Sequence, residues 1–242
     1  MAASRPTGTS SDSIPRRSYT AVVSRAQREV MKMRRRAGGT TPDFVELARR
    51  WANDIECNDD FTQGHCDRVA DIACAIAVSD GYTDQRLYWF RVGALLHDIG
   101  KFVVPAEVLN KPGRLSAEEW DLVRSHPRAA VEMVQDVAFP GDVMDILLSH
   151  HERWDGSGYP HGLAGEAIPH AARIVAIADA YDAITSVRSY KSALAHDTAM
   201  AVLRIDVGRH FDPRLFAIFE RVVSGAGTRF PPSLRSAPVP AR

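Results

Sequence analysis

The chain has 242 residues, enough for one domain with a substantial core, and 45% of them are apolar and 25% charged, as in ordinary globular proteins. Thirty lysines and arginines balance thirty aspartates and glutamates, so the net charge gives no reason to expect a nucleic-acid or membrane partner. No apolar run approaches the roughly 20 residues of a membrane span, and the N-terminus lacks the apolar stretch of a secretory signal, so we expect a cytoplasmic protein.

Composition divides the chain into a central part and two tails. Residues 1 to about 17 are rich in Ser, Thr, Pro and Arg, and 19–36 could form a short helix that ends in the basic run Met33–Arg36. We therefore expect a disordered, basic N-terminal extension over 1–41. Residues 225–242 form a second Pro-rich segment, which we also expect to be disordered. The folded domain is therefore predicted over 42–224.

Helix signals follow one another along this central part. The cap sequence Thr41-Pro42-Asp43 predicts the first helix, and apolar residues at helical spacing over 69–77 predict the second. The stretch 84–99 predicts a third helix that ends at Gly100. Further helices are predicted after the capping-box spacing at 116–119, from Pro127, and over 142–151, 168–185, 196–206 and 213–223. No run shows sustained strand alternation, so the sequence predicts an all-α bundle with one long Gly-rich loop over 152–168.

Histidines and aspartates recur near the ends of these predicted helices. Two adjacent pairs, His97-Asp98 and His150-His151, are costly to bury without partners. Asp179 stands among apolar residues, and an unpaired buried carboxylate costs several kcal/mol, so it requires a metal or a cation. The candidate metal ligands are His65, His97, Asp98, His126, His150, His151 and Asp179.

This set of side chains favours a particular kind of metal site. Five histidines and two aspartates exceed the needs of one tetrahedral ion. They suit two ions joined by a carboxylate, the arrangement of two-metal phosphoester hydrolysis, and imidazole with carboxylate suits iron, manganese or zinc. The alternative is that each is an ordinary core or surface residue, and we assign that structural role to His161, His170, His196 and His210.

Longer motifs resemble a known family. The stretches LLHDIGK, KPGRLSAEEWDLVRSHP, HHERWDGSGYPHGLAGEAIPHAARI, IADAYDAITSVRSYK and HFDP closely resemble the HD-GYP family of phosphohydrolases. That family is a bacterial subgroup of the HD superfamily and hydrolyses cyclic di-GMP. The resemblance extends from Glu56 to Phe219 and implies an HD-superfamily helical bundle with a long, Gly-rich GYP loop.

The resemblance also implies roles for single residues. The family's metal ligands fall on the seven candidates above, with Asp98 as the bridging carboxylate and as a catalytic residue together with Lys101 near the scissile phosphate. The loop 155–160 matches the signature that lines the substrate cleft. The implied substrate-binding residues are Gly158, Tyr159, Arg188 and Lys191.

The implied reaction is hydrolysis of cyclic di-GMP to linear pGpG, GMP or both by a hydroxide that bridges two divalent ions. Iron or manganese is expected first, with zinc, nickel, cobalt or magnesium as alternatives. Two other hypotheses about the function stay open: an HD phosphohydrolase acting on another nucleotide, or a non-catalytic module that binds cyclic di-GMP or a cyclase. Because residues 1–41 are too few for a receiver or other sensor domain, we expect the regulatory input to be missing or to be supplied in trans.

Some positions depart from the family pattern or allow two readings. Val187 and Ser189 flank Arg188 where the family usually has a different sequence, and Phe61 replaces a glutamate that completes a third metal site in some members, so two metals are expected. Glu152 is a candidate for orienting a ligand histidine. Trp154 is expected to pack the loop, with stacking on a guanine as the alternative.

Overall fold

The computed structural model describes residues 43–56, 64–186 and 193–224, together with the single residues Ser24 and Arg28. In these ranges the chain is helical and β-structure is confined to isolated bridges, so the predicted all-α fold is confirmed. The α-helices are α1 (Phe44–Glu56), α2 (His65–Ser79), α3 (Asp84–Leu96), α4 (Ala106–Leu109), α5 (Ala117–Arg124), α6 (His126–Val134), α7 (Gly141–Ser149), α8 (His170–Thr185), α9 (His196–Ile205) and α10 (Pro213–Ser224).

Several predictions concern residues outside the described ranges. They include the tail over 225–242, most of the extension over 1–41, and the three positions Phe61, Arg188 and Lys191. The division into a domain with two disordered tails therefore stays a prediction.

Helix α3 lies at the centre of the bundle. Nine of its thirteen residues are buried, as expected for a helix that is covered by neighbours on all sides. It packs against α1, α2 and α7, and its Phe90 and Leu95 are fully buried in the same core cluster as Ile76 of α2 and Ile146 of α7. Because a short turn joins α2 to α3, the start of α2 lies beside the end of α3, and this brings His65 next to His97 with ring centroids 5.5 Å apart.

The predicted end of the third helix is wrong. Helix α3 stops at Leu96, and a 3₁₀-helix, Ile99–Val103, follows it. Gly100 therefore does not cap α3; a Cβ atom at this position would overlap the carbonyl oxygen of His126. The absence of a side chain lets the segment after α3 press against the start of α6, which brings Asp98 and His126 to the same place.

A membrane-spanning helix would have to be long and almost entirely apolar. Among the described residues, no helix meets both conditions. The predicted cytoplasmic location stays a prediction.

Candidate metal centre

Asp98 is buried at the junction between α3 and the 3₁₀-helix, and its carboxylate faces four imidazoles. Its Oδ2 atom lies 3.4 Å from Nε2 of His97 and 4.0 Å from Nε2 of His65. Its Oδ1 atom lies 3.4 Å from Nε2 of His126 and 3.9 Å from Nε2 of His150. The two oxygens of one carboxylate thus point to different pairs of histidines, which is the arrangement that a bridging ligand requires.

The potential ligands form two groups that share Asp98. In each group, one ligand atom per residue lies within 4.8 Å of all the others. We call them the first group, which contains His65 and His97 with Asp98, and the second group, which contains His126, His150 and His151 with Asp98. The structure therefore brings together six of the seven ligands predicted from the sequence.

Asp179, the seventh, lies beside the first group and not within it. Its Oδ1 atom is 3.4 Å from Nε2 of His65, but its carboxylate does not meet the distance limit for either group. Its side chain is partly exposed, so the burial expected from its apolar neighbours is incomplete. Asp179 belongs to α8, the same helix that supplies Asp182.

Three of the histidines are held by main-chain carbonyls. The Nδ1 atoms of His97, His126 and His150 lie 2.8, 2.6 and 2.9 Å from the carbonyl oxygens of Ala94, Val123 and Ile146, respectively. Because a carbonyl oxygen can only accept, Nδ1 of each ring carries the proton and Nε2 keeps its lone pair. That tautomer directs the metal-binding nitrogen towards Asp98.

The histidines of the second group are held in the neutral form. Burial lowers the pKa of His126 to about 4 and that of His150 to about 3, and it also lowers the pKa of His151 well below its ordinary value. Neutral imidazole is the form that binds metal, so at neutral pH no proton competes with an ion for these three rings.

His65 is held differently, by carboxylates of α8. Its Nδ1 atom is 2.7 Å from Oδ2 of Asp182. Burial by itself lowers the pKa of His65, but its hydrogen bonds to Asp179 and Asp182 outweigh that effect and raise the pKa to about 9. An ion entering the first group must therefore displace a proton from this ring.

Asp182 is a residue that the sequence analysis missed. It is buried, and it also accepts hydrogen bonds from Nε and Nη2 of Arg68, at 2.6 and 3.1 Å. Its spacing from Asp179 was the available signal, because residues three apart on a helix lie on the same face. A carboxylate behind a metal-binding histidine fixes both the tautomer and the ring orientation.

Lys101 places a positive charge next to the Asp98 carboxylate. Its Nζ atom lies 2.6 Å from Oδ2 of Asp98. Burial would raise the pKa of Asp98, but the charge of Lys101 and the contact with His97 overcome that effect and hold the pKa well below its ordinary value. Asp98 is therefore an anion, as a metal ligand must be.

The unsatisfied atoms of the centre fit a divalent cation. Oδ1 of Asp98 and Nε2 of His97 are buried, and neither makes a hydrogen bond. Such orphan atoms are rare in folded proteins, and both belong to the converging ligand groups. Imidazole nitrogen combined with carboxylate oxygen is the donor set of iron, manganese and zinc sites.

The GYP loop covers the second group. Tyr159 stacks on His151, with ring centroids 4.8 Å apart and planes inclined by 26°, and its main-chain N–H donates to the carbonyl of His151. A Cβ atom at Gly158 would overlap the backbone of Glu152 and Arg153. This glycine thus lets the loop fold closely onto its own beginning.

Two contacts hold this loop in place: the Glu152 carboxylate binds main-chain groups of the loop, and Arg173 of α8 packs against Trp154. The buried Glu152 carboxylate accepts the main-chain N–H groups of His161 at 2.8 Å and Leu163 at 3.0 Å. The prediction that it orients a ligand histidine is therefore wrong. Trp154 lies beneath the guanidinium of Arg173, 5.7 Å from the ring centroid to Cζ, as expected for a packing residue.

The four histidines assigned to structural roles lie outside both ligand groups. His170 contacts Asp80 at 2.9 Å, His196 contacts the Tyr181 hydroxyl at 2.9 Å, and the ring of His210 stacks on Phe211. His161 is exposed. None of these rings shares the carboxylate of Asp98.

A helical bundle in which an HD pair gathers histidines from neighbouring helices defines a class of divalent-metal protein. The sequence model of the HD domain matches residues 40–215. The chain therefore belongs to the HD domain family, and its resemblance to the HD-GYP subgroup is confirmed by the relatives described next.

Curated relatives share much of the sequence. The chain is 43% identical over 171 residues to the cyclic di-GMP phosphodiesterase response regulator RpfG of Xanthomonas campestris, covering 70% of this chain and 45% of the relative. It is 41% identical to cyclic di-GMP phosphodiesterase PA4108 of Pseudomonas aeruginosa, covering 70% and 41%. It is 37% identical to 3'3'-cGAMP-specific phosphodiesterase 2 of Vibrio cholerae, covering 70% and 33%. The chain thus spans less than half the length of these relatives.

Solved structures share the fold. The HDG"Y"P protein Bd1817 of Bdellovibrio bacteriovorus matches with a TM-score of 0.59 and 24% identity over 90% of this chain and 75% of the other. A cyclic GMP-AMP-specific phosphodiesterase of V. cholerae matches with a TM-score of 0.61 and 20% identity over 80% and 51%. At these identities the likeness concerns the helical fold alone.

Proposed function

We propose that this protein is a metal-dependent phosphodiesterase that hydrolyses cyclic di-GMP to linear pGpG, GMP or both. The observation that carries the proposal is the position of Asp98, whose two oxygens face two separate groups of histidines. The names of the relatives from X. campestris and P. aeruginosa support the choice of substrate. Since the chain spans less than half of each, the activity of this protein is inferred and open to test.

Each ligand group would hold one divalent ion, with Asp98 between them and Asp179 as a further ligand on the His65 side. Iron or manganese suits the donor set best, with zinc, nickel, cobalt or magnesium as alternatives. Two divalent ions in such a site supply Lewis acidity and an activated water for attack on a phosphodiester.

The remaining roles belong to the residues of the chain. The Lys101 ammonium, 2.6 Å from Asp98, lies where it can neutralise charge on the phosphoryl oxygens, which is usually the largest catalytic contribution. It can also give a proton to the leaving ribose oxygen. The loop that contains Gly158 and Tyr159 would form one wall of the cleft. Arg188 and Lys191 would position the phosphates, Arg by paired hydrogen bonds and Lys as a point charge.

A second candidate substrate is 3',3'-cGAMP. One relative, 37% identical to this chain, is named as specific for it, and hydrolysis of its two phosphodiesters needs the same metal chemistry. A sensor protein or a cyclase acting in trans would supply the regulation.

The direct test is chromatography of cyclic di-GMP and 3',3'-cGAMP after incubation with protein that was purified anaerobically and loaded with ferrous or manganous ion. Metal-free protein and the Asp98→Asn variant are the controls. Appearance of pGpG or GMP only in the loaded wild type supports the proposal, and conversion of 3',3'-cGAMP alone supports the second candidate. No product from protein with a full metal load would instead favour a phosphohydrolase that acts on another nucleotide, and no product together with no bound metal would favour a non-catalytic binding module.

A further inference from the structure

A cavity of about 270 Å³ opens beside the metal centre, between the end of α1 and the segment 101–109. Its walls are mostly apolar: Ile55 of α1 faces Phe102, Pro105 and Leu109. Neither the metal ligands nor the loop that contains Tyr159 line it. The proposed reaction thus leaves this space without a role.

Lys101 connects the cavity to the centre. Its side chain lines the cavity, and its Nζ atom is 2.6 Å from Oδ2 of Asp98. A phosphate held at the centre would meet this ammonium, and a group attached to that phosphate would then be within reach of the cavity that the Lys101 side chain lines. In a dinucleotide, that group is a nucleoside.

The lining suits a flat, uncharged group. Ligand pockets typically combine apolar and aromatic walls with few polar groups, and nucleobases stack on aromatic side chains irrespective of sequence. Phe102 offers such a ring and is only partly buried. Lys101 is the single charged residue among those that line the cavity in the described part of the chain.

We propose that this cavity is the subsite for one purine base of the substrate, an inference that rests on the proposed function. Among the described residues that line the cavity, only Lys101 has a polar side chain, and that group is engaged by Asp98. The base would therefore be recognised by stacking and shape, and guanine and adenine would be accepted to a similar degree.

Filling the cavity from its rim tests the subsite. Ala106 lines the cavity and is exposed, so Ala106→Trp adds a large side chain there without disturbing the core. The matched control is Ala201→Trp, at an exposed position of α9. For each protein, kcat/KM is measured on cyclic di-GMP, on 3',3'-cGAMP and on bis(4-nitrophenyl) phosphate, a small diester without a nucleobase, together with metal content.

The expected result is a loss of about tenfold or more on both dinucleotides, the size of one lost base-stacking contact, with the small diester and the metal content unchanged. A Phe102→Leu variant, which keeps an apolar wall but removes the ring, should shift kcat/KM in the same direction. Ala201→Trp should behave as the wild type on all three substrates.

Unchanged kcat/KM of Ala106→Trp on the dinucleotides would overturn the subsite, and so would an equal loss on the small diester, which would show an effect on the centre itself. A different result would contradict the proposed function itself: the wild type would hydrolyse the small diester but neither dinucleotide.

Discussion

The protein contains two clusters of histidine, aspartate and basic side chains, the metal centre around Asp98 and a second cluster around His170. They differ in whether every polar atom has a hydrogen-bond partner. At the far end of α2, Asp80, Tyr82, His170 and Arg214 form what we call the His170 cluster. The Asp80 oxygens contact His170 Nε2 at 2.9 Å and Arg214 Nη1 at 2.5 Å, and the Tyr82 hydroxyl lies 3.0 Å from His170 Nδ1. Every ring nitrogen and carboxylate oxygen there has a partner.

The metal centre has the same residue types but leaves atoms unsatisfied at its middle. The buried Oδ1 of Asp98 and Nε2 of His97 make no hydrogen bond, and each such atom costs about 1–3 kcal/mol when it is left without a partner. The nearby histidines use Nδ1 to bind the main chain and direct Nε2 inwards. Converging unsatisfied atoms, and not the mere proximity of histidine and aspartate, therefore mark the metal site.

The largest effect should come from removing the shared carboxylate. Asp98→Ala takes one ligand from both groups at once, so both ions should be lost and activity with them. Elemental analysis of the purified variant measures this, with Asp80→Ala in the His170 cluster as the control that keeps its metals. Retention of a full metal load by Asp98→Ala would refute the bridging assignment.

Removing Lys101 should separate chemistry from metal binding. Lys101→Ala should keep its metal content and lower kcat by about 10²–10³-fold, the usual effect of deleting one group that stabilises transition-state charge. Steady-state kinetics and elemental analysis on the same preparation check both parts. Loss of the ions would instead show that the ammonium is needed to assemble the centre.

A smaller effect, on metal affinity, is expected from removing Asp182, which binds Nδ1 of His65. Asp182→Ala removes the acceptor of the Nδ1 proton, and loss of such a partner typically weakens metal binding by about 10–100-fold. Competition with a chelator measures this affinity without reference to activity. The matched control is Asp197→Ala, at an exposed position of α9; equal affinities in the two variants would mean that Asp182 has no role in holding the ring.

The smallest effect concerns the pH dependence of stability in the His170 cluster. Burial opposes ionisation of Asp80, but Arg214 and His170 outweigh it and lower the pKa of this carboxyl below its ordinary value. A lowered pKa means that the ion pairs stabilise the fold above the unfolded-state pKa of aspartate, near 3.9, and that this contribution is lost as pH falls through the lower folded-state pKa.

The Asp80→Asn variant tests that dependence. The free energy of unfolding of the wild type should exceed that of the variant by about 0.5–1 kcal/mol at neutral pH, since Arg214 is largely exposed. The difference should shrink as the pH falls below about 4. Chemical denaturation at several pH values measures it, and a difference that does not change with pH would contradict the ionic origin of the effect.

Sequence patterns that act locally predicted much of this molecule. The capping box at Ser116 and Glu119 is present as expected, and the apolar spacing over 69–77 falls within α2, His65–Ser79. The positions of histidines and aspartates near helix ends and their unusual number selected seven candidates, of which six converge and Asp179 lies beside them.

Features that depend on tertiary packing could not be read from the sequence. His126 was expected at the end of a helix but is the first residue of α6, and the Gly100 backbone contact that places it there lies between distant segments. From the sequence, either of the buried carboxylates Glu152 and Asp182 could have been the one that orients a ligand histidine. Only the fold shows that one holds the loop and the other holds His65.

Electron paramagnetic resonance of the protein loaded with Mn²⁺ tests the central claim, that Asp98 joins two ions in adjacent sites. Two ions bridged by a carboxylate lie roughly 3.5–4 Å apart, close enough for magnetic coupling. The account predicts the signal of an exchange-coupled pair at full loading, lost in Asp98→Ala. A signal from isolated Mn²⁺ ions alone at full loading would contradict it.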